Sequence, residues 1–116
     1  SALALEQRLR EARFKPPPDS GIDPGDLSAL RAAGRAVRVS RGLHYHPDTL
    51  AEVRAHVLEI AEGAGGKVTL AQLRDDLGTS RKFAQALLEH MDRERVTIRR
   101  GEAHHVRKAS WPASAG

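Results

Sequence analysis

The stretch Gly78 to Gln85, GTSRKFAQ, sets two hydroxyls, Thr79 and Ser80, directly before two cations, Arg81 and Lys82, where an apolar-periodic segment begins. As a helix start, this places a Thr79 or Ser80 hydroxyl to accept from an otherwise unpaired N–H of the first turn. The cations need another reason. A positive charge in a first turn opposes the helix dipole, at a cost of a few tenths to about 1 kcal/mol. A phosphate bound there removes the conflict, because backbone N–H groups, dipole and both cations then act on the same oxygens. Advancing about 100° per residue from Arg81, Phe83, Ala84, Leu87, Leu88 and Met91 fall on one arc, and Arg81, Lys82, Gln85, Glu89 and Arg93 on the other. The first arc is the predicted core face and the second is displayed.

A second basic group follows. From Arg95 to Lys108 there are five cations against one anion, Glu102, an excess equal to the +4 of the whole chain. Strand alternation in VTIRRGEAHHVRK predicts Val96, Ile98 and Val106 inward and Arg95, Thr97, Arg99, His105 and Arg107 outward, with Arg100 at the tip of a hairpin turning at Arg100-Gly101. A basic helix start beside a basic hairpin favours a polyanionic partner, with nucleic acid the leading reading and a solvated surface the bland one. The four aromatics are Phe14, Tyr45, Phe83 and Trp111. Platforms for stacking unpaired bases are therefore scarce, and a backbone reader is expected. Beyond Lys82 the displayed face offers Gln85, then Glu89 and Asp92, whose acidity opposes phosphate along a groove. Contact confined to the helix start and the hairpin suits a structured RNA hairpin better than a duplex embraced along a helix. A duplex-DNA-binding transcription regulator is the alternative.

Other chemistry finds less support. His44 and His46 share one side of a strand and His104-His105 lie in a matching strand, but adjacent histidines point to opposite faces and no carboxylate has evident metal-ligand spacing, so no metal is expected. Asp75-Asp76 diverge by about 100° on a helix and read as solvated rather than as a catalytic pair. No catalytic residue and no cofactor is assigned. The sequence has no Cys, which removes disulfides and thiolate chemistry and fits a reducing compartment. No apolar run reaches the roughly 18 residues that span a bilayer, and no signal-peptide pattern opens the chain. A cytoplasmic protein with no membrane partner is expected.

These residues need a scaffold, and 116 residues with 40% apolar and 29% charged side chains can supply one or two small domains. Helices are predicted over Leu3 to Arg13, from Pro24 to near Gly34, from Pro47 to Gly63, from Thr69 to Gly78 and from about Ser80 to Arg93. Alternating strands with turns at Arg41-Gly42 and Arg100-Gly101 close each half. In the second half, the order helix, short extended Val68, helix, tight turn, helix, hairpin is the winged-helix arrangement. Val37, Val39 and Arg41-Gly42 repeat as Val96, Ile98 and Arg100-Gly101 at a constant offset of 59 residues. The expected fold class is mainly α with small β-hairpins (α+β), as tandem winged helices. A degenerate unit covers 1–48, an RNA-binding unit 49–109 and a disordered tail 110–116. The first unit, less basic in its hairpin, is also a candidate spacer or protein-interaction module.

The segment LAQLRDDLGTSRKFAQALLEHMDRERVTIRRGEAHHVRK resembles the last winged-helix domain of the SelB family of bacterial selenocysteine-specific elongation factors. LGTSRKFA, LLEHMDR and VTIRRGE carry the likeness, and RAVRVSRGLHYHPDTL resembles the preceding winged helix. The resemblance implies binding of the selenocysteine insertion (SECIS) hairpin of an mRNA at an in-frame UGA codon, by a monomer. It implies RNA contacts at Thr79, Ser80, Arg81, Lys82 and Gln85 and at Arg99, Arg100 and Gly101. It also implies a GTPase part N-terminal to Ser1, through which ribosome and selenocysteyl-tRNA are engaged. Where the family often has Gly before the wing strand, this chain has Arg95.

Overall fold

The computed structural model describes residues 1–111. The chain divides into two compact units, Ser1–Glu52 and Val53–Gly116.

In the first unit, helix α1 (Ala2–Ala12) starts where the Ser1 hydroxyl accepts from the Ala4 N–H at 3.2 Å. Helix α2 (Pro24–Ala32) opens on Pro24, whose missing N–H costs nothing at that position, behind an Asp23 carboxylate that accepts from the Asp26 N–H at 2.9 Å. Leu5, Leu9, Ile22, Leu27, Leu30 and Ala36 form its core, each large side chain contributing about 1.5–3 kcal/mol of burial. Strands β1 (Val37–Ser40) and β2 (Leu43–Tyr45) pair antiparallel, with Arg38 opposite His44 and a bulge between Arg38 and Ser40. Tyr45 is fully buried and its hydroxyl donates to the Phe14 carbonyl; burial raises its pKa.

Two of the histidines weighed as metal ligands, His44 and His46, bind carboxylates. His44 Nδ1 lies 2.9 Å from Asp19, and His46 Nε2 lies 2.9 Å from Glu6. His46 Nδ1 also accepts from the Asp48 N–H, pinning the start of α3 (Pro47–Glu62), the helix within which the division between the units falls.

In the second unit, the chain runs from α3 through β3 (Lys67–Val68) into α4 (Leu70–Leu77) and α5 (Arg81–Arg93). Thr69 and Gln72 form a reciprocal cap at the start of α4, and Gly78, at φ 65°, ends it in the left-handed conformation that glycine adopts without strain. Strands β4 (Thr97–Arg100) and β5 (Ala103–Val106) form the wing, with β3 on the other edge of β5 in a three-stranded antiparallel sheet. This is the helix-turn-helix and wing predicted from the sequence. Asp76 pairs with His56, and Asp75 with Arg74 at 2.9 Å, so the two carboxylates serve separate partners.

Two expectations fail in the wing and just after it. Thr97, expected outward, is fully buried and Ile98, expected inward, is only half-buried, whereas Val96 and Val106 are buried and Arg99 is exposed as expected. The register pairs Thr97 with Val106 and Arg99 with His104 on the core side, and Ile98 with His105 on the other. The hydroxyl of Thr97 tolerates burial because it donates to Asp92 at 2.6 Å. Asp92 also receives His104 Nδ1 at 3.0 Å, so it is a buttress of the wing rather than a displayed acid. Ser110, assigned to a disordered tail, is buried and donates to the Arg95 carbonyl at 3.3 Å. The rest of that expected tail, 112–116, lies outside the described residues.

Candidate nucleic-acid interface

Ser80 is the N-cap of α5, its hydroxyl accepting from the Phe83 N–H at 3.3 Å. Thr79 precedes it with its N–H donated to the Arg74 carbonyl at 3.1 Å, part of the closure of α4. Arg81 and Lys82 are then the first two helical residues, both exposed, and the first turn holds no acid. Neither cation has an ion-pair partner among the described residues. The dipole conflict read in the sequence is therefore present in the fold. Underneath, Ala84, Leu87, Leu88 and Met91 are buried and anchor the helix. His90 joins them on that face; burial, partly opposed by the Glu94 carboxylate, lowers its pKa.

The wing faces this helix start. Arg81, Gln85 and Glu89 from α5 line a groove of about 120 Å³ with Arg99, Glu102 and His104 from the wing, over Leu70 and Leu88. The Gln85 amide donates to Glu89 at 3.3 Å, and Arg99 Nε donates to the Gly101 carbonyl at 3.2 Å across the turn. Gly101, at φ 64°, makes that turn possible.

Of the sequence-derived contacts, the fold thus brings Arg81, Gln85 and Arg99 into one groove, while Thr79, Ser80, Lys82 and Gly101 are chain neighbours of its lining residues and not part of the lining. Arg100 is separated from them. It lies on the far side of the wing, in a hollow it shares with Ile98, His105, Arg107, Lys108 and Trp111. Sequence reasoning missed the groove's Glu102 and His104. Glu102 sits in a turn, where no periodicity applies, and His104 was weighed only as a metal ligand.

Residues 59–106 match a family model described as elongation factor SelB, winged helix. That match covers less than half of the chain, within its second unit. Both units together resemble two solved structures. One is the mRNA-binding domain of elongation factor SelB from E. coli in complex with SECIS RNA, at 24% identity and TM-score 0.69, covering 92% of this chain and 97% of that one. The other is the bacterial selenocysteine-specific elongation factor EF-Sec, at 22% identity and TM-score 0.67, covering 92% of this chain and 17% of that one. The chain therefore spans about a sixth of EF-Sec. Among curated proteins no significant match is found. These likenesses establish the tandem winged-helix fold, and the stretch that the family model matches falls within the unit that holds the basic groove.

Proposed function

We propose that the chain binds an mRNA hairpin of the SECIS type and so belongs to a GTPase elongation factor that delivers selenocysteyl-tRNA to the ribosome at UGA codons. The chain itself supplies binding, not catalysis. The observation that carries this reading is the pair of unpartnered cations, Arg81 and Lys82, in an acid-free first turn that opens onto a groove with Arg99 on its opposite wall. Backbone N–H groups of that turn, the Ser80 and Thr79 side chains and the two cations hold phosphates. Gln85 and Arg99 face whatever nucleotide enters the groove, with Gly101 letting the RNA backbone approach the turn. Arg100 holds a phosphate where the strand passes around the wing. The resemblance of the LGTSRKFA and VTIRRGE motifs and the SECIS complex of the E. coli relative support the RNA. Glu89 and Glu102 on the groove walls oppose a duplex laid along it.

The test is hairpin binding by the Arg81→Ala/Lys82→Ala double variant. Both side chains are exposed, so the fold is retained and affinity for a SECIS-type hairpin falls by at least about tenfold. With about five phosphates neutralised, wild-type affinity falls with salt at a log–log slope of roughly −4. Wild-type affinity in the variant, or equal competition by duplex DNA, overturns the reading.

A further inference from the structure

The far face of the wing is built differently from the groove. Strand alternation puts Ile98 and Arg100 of β4 on one face with His105, the cross-strand partner of Ile98, and with Arg107 two residues on. The short helical turn Lys108–Ser110 then folds the chain back. The Ser110 hydroxyl donates to the Arg95 carbonyl at 3.3 Å, and the Trp111 N–H to the Lys108 carbonyl at 3.3 Å. Trp111 is thereby brought beside the strands, where it completes a hollow of about 410 Å³ with Gly65 and Gly66 on its rim. That volume falls within the roughly 300–1,000 Å³ of ligand-binding pockets.

Three observations mark the hollow as a surface that a partner covers. No acid lines it, while Arg100, Arg107 and Lys108 are exposed and have no ion-pair or side-chain hydrogen-bond partner among the described residues. Ile98 and Trp111 are only half-buried and leave apolar surface between the cations, and the indole N–H has no acceptor among the described residues. At the rim, a Cβ on Gly65 or Gly66 would meet nothing within 4 Å, so another chain can approach bare backbone there.

These features define the occupant. The cations and the indole can only donate, so the occupant brings acceptors and negative charge. Between those acceptors it brings an apolar group, because Ile98 and Trp111 lie there to be covered. Tryptophan and arginine around an apolar centre are the composition of protein–protein hot spots. A nucleic acid fits less well, since the branched Ile98 side chain offers no plane on which a base stacks and a phosphodiester backbone brings nothing apolar to it. We infer that the outer face of the wing docks a protein: an extended acidic segment whose apolar side chain fills the hollow over Ile98 and Trp111 while flanking carboxylates take Arg107 and Lys108. Neither of those two cations belongs to the proposed RNA contacts, so the inference does not rest on them and the surface stays available while a hairpin occupies the groove.

The chain's one tryptophan lines the hollow, so its fluorescence and its indole N–H NMR signal read occupancy directly. The probe is the acetylated, amidated hexapeptide DELFED, titrated into the whole chain. Both Trp111 signals change and saturate. DESSED, with serines for the two apolar residues, binds at least about tenfold more weakly, through loss of the buried apolar anchor. Arg107→Ala/Lys108→Ala, with an otherwise unchanged amide spectrum, weakens DELFED binding by at least about tenfold and leaves affinity for a SECIS-type hairpin unchanged. The proposal is overturned by unmoved Trp111 signals, by equal binding of the two peptides, or by loss of hairpin affinity in the double variant. It is equally overturned if hexauridylate moves the Trp111 signals at lower concentration than DELFED, or if the peptide binds only after residues 112–116 are removed, which would make that segment the occupant.

Discussion

Asp92 accepts from Thr97 Oγ1 at 2.6 Å and from His104 Nδ1 at 3.0 Å, and so joins the end of α5 to both strands of the wing. Thr97 is fully buried, so removing its acceptor strands a hydroxyl where no water replaces it. Asp92→Ala is expected to cost the second unit about 1–3 kcal/mol in urea unfolding followed by circular dichroism. A cost below about 0.5 kcal/mol, the range of ordinary surface changes, contradicts the buttress role. At this scale the sequence was legible where the physics is local. The Ser80 cap and the outward Arg81 and Lys82 follow from one turn of helix, and the structure has all three. Asp92 was not legible, because its partners lie 5 and 12 residues onward in the wing, and the facing of Thr97 was misread.

The misreading of Thr97 and Ile98 belongs to the element scale. Val96 and Ile98 suggested one apolar face, but Val96 precedes β4 and Arg95 before it sits at φ 61°, a left-handed turn that rotates the strand by one position. Val96 stays buried at the junction, Thr97 takes the core side with its hydroxyl satisfied, and Ile98 shares the outer hollow with Trp111. The left-handed conformation explains why Gly is frequent at this position in the family that the chain resembles. Arg95 adopts the same conformation and bears its strain, of order 1–2 kcal/mol for a residue with a Cβ. Glycine avoids that strain but loses more chain entropy on folding, by about 0.5–1 kcal/mol. Arg95→Gly is therefore expected to stabilise the second unit by about 0.5–1 kcal/mol, and Arg95→Val to destabilise it, in paired denaturant titrations. The reverse order would show that the turn is not strained. The helices were more legible than the wing, since caps such as Thr69 with Gln72 and the stop at Gly78 carry their geometry in residue type.

Across the whole molecule, charge is used differently in the two units. The second concentrates unpaired cations at the start of α5 and along the wing, where a polyanion meets them. The first spends several of its charges on itself, around Glu6. That carboxylate is 6% exposed, faces His46 and Arg35 at 2.9 Å each, and is approached by Arg10 at 3.4 Å. The hydrogen bond from His46, then that from Arg35, outweigh burial and hold Glu6 at about 2, against an ordinary value of 4.5. A depressed carboxylate binds its proton more weakly folded than unfolded, so its stabilisation is complete above pH 4.5 and is lost as pH falls towards 2. The chain has one Tyr and one Trp, and Tyr45 lies in the first unit and Trp111 in the second. Their signals therefore report the two units separately. In denaturant titrations between pH 5 and pH 2, the Tyr45 midpoint should fall steeply in the wild type and less steeply in Glu6→Gln, which is already weaker at neutral pH because His46 and Arg35 lose their anion. Equal slopes in the two proteins would remove Glu6 as the first unit's acid-sensitive joint.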